Sequence, residues 1–377
     1  MAKPIRVLHV SKTYYPDSFG GVEQVIRQLS AATGKMGIEN RVFTLSRNAD
    51  ETPVVVKDSV TVTRAPVHLD IASTPMSARA IHLFRQSVAS ADLVQYHYPW
   101  PFGDLLHLIG GRTKPAIVTY HSDVVRQRLL MPFYSPLMRT FFGSARAIVP
   151  TSSNYLQSSK LLQDYRDKAV VIPLGLDEDA YPPPQQKTLD AWKSQVGEKF
   201  FLFVGMLRYY KGLHILLDAC ARSESRVVIV GEGPEEQRLK RQANDLGLNN
   251  VVFLGAVSEE DKIALLSLCR AVVFPSQLRS EAFGMTLLEG AVFGKALISA
   301  EIGTGSSYIN LDGTTGLVVL PNDAAALAAA MERLWNDDVL VREMGQAARK
   351  RFDNFFTASK MAKAYGDLYQ RILEEAF

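Results

Sequence analysis

Cysteine is scarce in this chain of 377 residues: only Cys220 and Cys269 occur, both in apolar helical contexts. Two such thiols are expected to be buried and exclude a disulfide framework. Neither has ligand spacing with a pair of histidines, which argues against a metal centre. Apolar runs of spanning length are also missing, and the opening MAKPIRVLHV runs straight into a strand with no signal-peptide pattern. A cytoplasmic location is the expectation. Charge of one sign is lacking too, since 42 Lys/Arg against 39 Asp/Glu leave a formal net charge of +3. That is too small to point to a nucleic-acid partner by itself. No internal repeat stands out, and the one biased stretch, AAALAAAMERLW from Ala324, is a strong helix former.

What is present is a regular alternation. IRVLHVS, RVFTLS, TVTRAP, DLVQYHY, AIVTYHS, AIVPTS and AVVIPLG read as strands up to Gly175, followed by FFLFVG, RVVIVG, NVVFLGAV, AVVFPS, ALISAE and TGLVVLP. Apolar runs without clean alternation suit strands buried on both faces of a parallel sheet, and the amphipathic stretches between them suit crossover helices. Two series imply two doubly wound α/β domains, and 47% hydrophobic content supports a core in each. Leu176–Lys187 is acidic, carries Pro182, Pro183 and Pro184, and cannot be a helix interior or a central strand. The expected division is a first domain over 1–178, a linker over 179–187, a second domain over 188–357, and a helix over 358–377 that returns toward the first. Residues 1–180 carry 20 Lys/Arg against 15 Asp/Glu, while the remainder carries 22 against 24, so the basic excess belongs to the first half.

Glu281-Ala-Phe-Gly-Met-Thr-Leu-Leu-Glu289 is the most informative segment, because it lies where the strand AVVFPS gives way to a helix. Gly284 near the helix start leaves N–H groups open toward the C-terminal edge of the sheet, which attracts phosphate. Carboxylates beside an anion site need uncharged partners, and sugar and ribose hydroxyls are the natural ones. Gly20-Gly21, between the first strand and a helix, permits positive φ and close approach of backbone to a ligand, or simply closes a βα turn. Gly231-Glu-Gly233-Pro lacks the third glycine of a dinucleotide fingerprint and reads as a structural turn.

Taken in order, PDSFGGVEQVIRQLS, AIVTYHS, VIPLGLD, VGMLRYYKGLHILLDA, VGEGP, the Glu-x7-Glu element and GTTGLVVLPND resemble the retaining glycosyltransferases of family 4 over nearly the whole chain. The resemblance implies the GT-B architecture: two facing Rossmann-like domains of doubly wound parallel sheet, with the active site in the cleft between them. YHSDVVRQ, LRYYKG, SEAFGMTLLEGAVFGK and SAEIGTGSSYIN resemble bacterial mannosyl- and rhamnosyltransferases that extend lipid-linked O-antigen or related polysaccharides. Carried over, Gly20 and Gly21 approach the donor diphosphate, His121 faces the donor sugar, and Lys211 binds the diphosphate. Glu281 holds sugar hydroxyls, Glu289 ribose hydroxyls, and the amides around Gly284, Met285 and Thr286 the phosphates. One departure is that Met206 stands where the family usually has Arg. Arg208 projects to the same side, displaced by about 6.6 Å if the strand continues, and is the substitute diphosphate ligand. With no Asp-x-Asp element where a cation would bridge nucleotide phosphates, no cofactor or metal is expected beyond the nucleotide-sugar donor. Lys211, Arg208 and the helix N-terminus must then neutralise the leaving group.

Fixed cations and amides at the diphosphate stabilise the charge that grows on the leaving oxygen. The resemblance implies retention, by same-face attack with the leaving phosphate helping to deprotonate the acceptor hydroxyl, and no nucleophile is nominated. Glu259 in Ser258-Glu-Glu-Asp-Lys262 could accept adjacent guanine N–H groups, or could serve the helix dipole after an N-cap Ser258. The subgroup resemblance favours GDP-mannose, then GDP-rhamnose, with a UDP-sugar as a further alternative. Residues 124–163 contain Arg126, Arg128, Arg139, Arg146 and Lys160, no acid, and many aromatics. This suits adsorption to an anionic membrane, peripheral on the inner face of the plasma membrane, near a polyprenyl diphosphate-linked acceptor. Asp123 joins these as an acceptor-side candidate, and His9 reads as structural. A buried helix is the competing reading of the segment, with Pro132 and Pro136 interrupting any long one. A nicotinamide-dependent oxidoreductase lacks its glycine turn here, and a non-catalytic sugar-nucleotide-binding subunit would have lost His121, Lys211 or a Glu.

Overall fold

The computed structural model describes residues 4–18, 20–49, 54–55, 60–71, 73–123 and 131–376. They form two compact units, one of Met1–Gly175 with Ala358–Phe377 and one of Leu176–Thr357. In the first, the strands are β1 (Arg6–Val10), β2 (Glu39–Ser46), β3 (Val54–Val55), β4 (Thr61–Pro66), β5 (Leu69–Ile71), β6 (Thr74–Met76), β7 (Leu93–Tyr98), β8 (Ala116–Tyr120) and β9 (Ala147–Pro150). Among the described residues, seven of these form one sheet in the order β3-β4-β2-β1-β7-β8-β9. All pairings in it are parallel except that of β3 with β4. β5 and β6 make a separate antiparallel hairpin.

Every residue of β7 and β8 is buried, which explains the unbroken apolar character of these strands: helices cover both faces. The C-terminal helix Ala358–Glu374 packs on helix Gly21–Gly34. It also inserts two tyrosine hydroxyls into the core. Tyr369 donates to Gln95 on β7, and Tyr365 shares a 3.1 Å hydrogen bond with Thr119 on β8. Their spacing of four residues puts both on one helix face.

The second unit has strands β10 (Phe201–Val204), β11 (Val227–Val230), β12 (Val251–Gly255), β13 (Ala271–Phe274), β14 (Ala296–Ala300) and β15 (Gly316–Val319). They pair in parallel in the order β12-β11-β10-β13-β14-β15. Phe201 and Phe203 meet Leu216, Leu217, Leu327, Met331 and Leu334 in its core. Leu327, Met331 and Leu334 lie on helix Ala324–Asn336, whose four- and three-residue spacing makes one apolar face.

Two expectations about chain organisation change. The segment 179–187 falls inside the second unit instead of linking two others. Asp177 caps the short turn Glu178–Ala180, Arg349 holds Glu178 at 2.7 Å, and Tyr181 is buried against Phe293. Helix Met131–Ser144 runs through Pro136, which removes one N–H from its backbone ladder without ending it.

Each sheet reverses its winding next to its first strand, between β1 and β7 and between β10 and β13. The C-terminal ends of strands flanking such a reversal open a crevice that crossover helices cannot fill.

Candidate active site

In the second unit, the reversal gathers the polar groups that follow β10 and β13. β10 stops at Val204 because Gly205 adopts φ +149°. The strand therefore does not continue through Met206 and Arg208, contrary to the geometry expected for the substitute arginine. The two exposed side chains still meet, with Arg208 Nε 2.9 Å from Met206 Sδ. A turn over Tyr209–Lys211 then ends at Gly212, where φ is +69° and a Cβ would lie 2.0 Å from the Pro275 carbonyl oxygen. This close approach ties the loop after β10 to the loop after β13. As a result Lys211 forms an ion pair with Glu281, while Ser276 donates to the same carboxylate at 3.3 Å. The ammonium also sits 4.8 Å from the Phe274 ring centroid.

Gly284 precedes helix Met285–Val292 with φ +98°, a left-handed conformation that favours glycine. The Thr286 hydroxyl donates to the Val204 carbonyl at 3.0 Å, so that side chain is committed to anchoring β10 and only its backbone remains for a ligand. One helical turn on, buried Glu289 accepts from Tyr181 at 3.0 Å and from Lys262 at 2.8 Å. Lys262 also pairs with Glu259 at 2.7 Å. Burial lowers the Lys262 pKa, but Glu289 and Glu259 outweigh it and the net shift is upward. Ser258 caps helix Glu259–Leu268 by accepting from Asp261 N–H at 3.1 Å. Tyr181 and Lys262 had no signal in the sequence, because each reaches Glu289 across a long sequence gap.

In the first unit, the reversal carries a buried row of histidines. His9 on β1 lies 3.2 Å from His97 on β7 (Nδ1 to Nε2), and His97 Nδ1 lies 2.9 Å from His121 Nε2 at the end of β8. Burial lowers the pKa of His9 to about 4 and that of His121 to about 4. Burial and then its two neighbours push His97 the same way. All three rings are neutral at pH 7. His9 is structural in its burial, yet it is joined to His121 through His97, which sequence reading missed. Three histidines near strand C-termini were the available signal.

The remaining predicted residues lie apart from these clusters or are otherwise engaged. Gly20 has φ −85°, so positive φ is not its reason. A Cβ there would lie 2.5 Å from the Glu23 carboxylate, which Thr13 holds at 2.6 Å. Gly21 begins the helix, with open space at its Cβ position. Asp123 accepts from Tyr120 at 2.5 Å and Ser159 at 2.9 Å, a bracing role. Arg139 is exposed on helix Met131–Ser144 and Phe133 is 85% exposed, but Phe141 and Phe142 are fully buried, which corrects the view of these aromatics as surface groups. Arg126 and Arg128 lie outside the described residues. Both cysteines are buried, and burial pushes the Cys220 thiol up to about 12. Among the described residues no cluster of His, Cys, Asp or Glu could hold a metal ion, and no helix is long and apolar enough to cross a membrane.

The two wound sheets, with an acid pair beside a helix N-terminus at one reversal, are matched over most of the chain by models of glycosyltransferases. Residues 184–351 match the model of glycosyl transferases group 1, and residues 19–180 that of Glycosyltransferase Family 4. The chain belongs to this family. It is 50% identical over 370 residues to O-antigen chain mannosyltransferase C of Escherichia coli, covering 98% of this chain and 99% of that protein. It is 52% identical over 354 residues to the D-rhamnosyltransferase WbpZ of Pseudomonas aeruginosa, covering 94% and 93%. Sucrose-phosphate synthase from Thermosynechococcus elongatus has the same fold, with a TM-score of 0.79 at 20% identity over 98% of this chain and 100% of that one.

Proposed function

We propose that the protein transfers mannose from GDP-mannose, with retention, to a lipid-linked saccharide in the synthesis of an O-antigen or related polysaccharide. The observation that carries the reading is the Lys211–Glu281 pair beside the Gly284 helix start at the β10/β13 reversal, a cation for diphosphate next to a carboxylate for hydroxyls. Support for the sugar and pathway comes from the mannosyltransferase of Escherichia coli. D-Rhamnose from GDP-rhamnose is the second reading, because a rhamnosyltransferase is equally similar.

In this reading Lys211 leaves Glu281 for the donor diphosphate, and the released carboxylate takes sugar hydroxyls. Arg208 swings from Met206 to add a second cation. Glu289, already oriented by Tyr181 and Lys262, accepts from the ribose, and Glu259 reads guanine. N–H groups of Met285 and Thr286 face the phosphates, and His121 meets the sugar. The sugar–oxygen bond breaks as negative charge passes to the diphosphate, where fixed positive groups stabilise it. The acceptor oxygen attacks the same face and loses its proton to the leaving phosphate. The test is transfer of labelled sugar from GDP-mannose, GDP-rhamnose and UDP-glucose to polyprenyl diphosphate-linked saccharides. Label moving from GDP-mannose alone supports the first reading, from GDP-rhamnose alone the second, and from UDP-glucose alone refutes both.

A further inference from the structure

The row of three buried histidines at the β1/β7 reversal has a fixed direction, and it is set by an asparagine. Asn40 on β2 places Nδ2 within reach of three acceptors: the Ser30 carbonyl at 3.1 Å, Thr33 Oγ1 at 2.9 Å and the Ile38 carbonyl at 3.2 Å. Thr33 in turn donates its hydroxyl to the Leu29 carbonyl at 2.7 Å, so toward Asn40 it can only accept. The amide orientation is thereby determined. Asn40 Oδ1, which cannot donate, is left 3.0 Å from His9 Nε2.

Each neutral imidazole has one donor and one acceptor nitrogen, so a choice at one end propagates. His9 Nε2 must carry its proton to serve Asn40, which leaves His9 Nδ1 as an acceptor. His97 Nε2 must then donate to His9, leaving His97 Nδ1 an acceptor, and His121 Nε2 must donate to His97. The His97 and His121 ring planes lie within 18° of each other, so their nitrogens meet edge to edge. Burial disfavours a second proton on any ring, since among the described residues no carboxylate pairs with His9, His97 or His121.

We infer that Asn40, His9 and His97 are positioning residues that hold His121 in the Nε2–H form, so that its Nδ1 lone pair accepts a hydrogen bond from a hydroxyl of the donor sugar. Among the described residues Nδ1 has no protein partner. The inference rests on the proposed reading that His121 meets the sugar. As the leaving group departs, the sugar ring gains positive charge, and a neutral acceptor fixed in advance opposes that charge less than an imidazolium would.

The primary measurement uses the full chain carrying ring-15N histidine at pH 7, with His121 assigned by the signals missing in His121→Gln. Long-range 1H–15N spectra are expected to show protonated Nε2 and unprotonated Nδ1 on His9, His97 and His121. A protonated Nδ1 on any of the three overturns the relay. Asn40→Asp supplies a counter-ion that makes His9 doubly protonated, so His9 must donate through Nδ1, the direction reverses, and His121 is expected to switch to Nδ1–H. Retention of the wild-type form by a folded Asn40→Asp protein also overturns it.

The functional arm is His97→Phe, expected to lower kcat for sugar transfer about 10- to 100-fold, with nucleoside diphosphate affinity unchanged by calorimetry. Unchanged kcat overturns the inference. Adding a non-transferable 2-fluoro donor analogue should shift His121 Nδ1 in the wild type. If the free-protein pattern is as expected but no donor analogue moves that signal, the relay exists without its sugar contact and the inference fails at that step. Absence of transferase activity on any acceptor would instead sink the proposed function and leave the tautomer pattern intact.

Discussion

The two units share an architecture and place opposite chemistries at the same topological position. At the β1/β7 reversal the first unit buries three neutral histidines tied to an amide. At the β10/β13 reversal the second unit gathers charges, Lys211 with Glu281 and, one turn further along the helix, Lys262 with Glu289. The lesson is that the fold provides a crevice and the burial of its rim decides what the crevice can bind. The Lys211 and Glu281 side chains keep 12% exposure each, so both charges remain in reach of solvent, whereas His9 has none.

The largest effect should come from breaking the charged half. Lys211→Ala is expected to reduce transfer by about 10²- to 10³-fold, the usual scale for losing a preorganised electrostatic contact, and to weaken nucleoside diphosphate binding. Glu281→Gln releases the Lys211 ammonium from its pair. It should therefore bind GDP at least as tightly as the parent while transferring sugar poorly. Calorimetry showing unchanged GDP affinity in Lys211→Ala would contradict the assignment. Chelation by EDTA should leave activity intact.

Acid should break the neutral half. Six of the seven histidines lie in the first unit, and His9, His97, His107 and His121 all have lowered pKa values, mainly through burial. A lowered value means that the unfolded chain takes up protons first. Stability is complete above about 6.5 and is lost as pH falls toward 4. Asp104 acts in the opposite sense, because burial raises its carboxyl to about 8 and its contribution grows as pH falls, but it is one group against four. Among the tryptophans only Trp100 lies in the first unit, where it is buried. A variant with Trp192 and Trp335 replaced by Phe should show its fluorescence changing between pH 6.5 and 4 before far-ultraviolet circular dichroism is fully lost. Coincident transitions would show that the histidines do not set the weaker unit.

A smaller effect should sharpen the second half. Lys262→Met removes a hydrogen-bonded partner from buried Glu289, and about 1–3 kcal/mol is at stake in such a contact. KM for the donor should rise about tenfold with kcat little changed, and the preference for GDP over its 2′,3′-dideoxy form should shrink. A pure kcat defect would place Lys262 in the chemistry instead. If Glu259 reads guanine, GDP should raise the melting temperature more than UDP does, by the mass-action gain of a ligand that binds only the native state. Greater stabilisation by UDP would remove the GDP-sugar reading.

The smallest effect concerns the basic segment 124–163. Arg126, Arg128 and Arg139 changed to Glu should release the protein from anionic vesicles in flotation, more so at low salt, because exposed charges are screened over about 8 Å at physiological ionic strength. Phe133→Ser should add to the loss, since that ring is 85% exposed. Unchanged flotation of the combined variant would leave the basic segment without a membrane role.

Sequence alone determined what depends on order along the chain. Buried parallel strands need continuous apolar runs, crossover helices need one apolar face, and a helix start near an acid pair is visible in Glu281 to Glu289, so the two wound sheets and the place of that acid pair in the second unit could be read directly. Tyr181 and Lys262, the partners of Glu289, were not visible, because a buried carboxylate finds its partners by proximity in space. Nor could the end of β10 at Val204 be read, since the turn depends on Gly205 at φ +149° and on Gly212 meeting the Pro275 carbonyl. The histidine row was hidden for the same reason. His9, His97 and His121 lie on strands that become neighbours only when the sheet assembles, and the direction of their hydrogen bonds is fixed by Asn40, whose amide orientation depends on the helix packed above it.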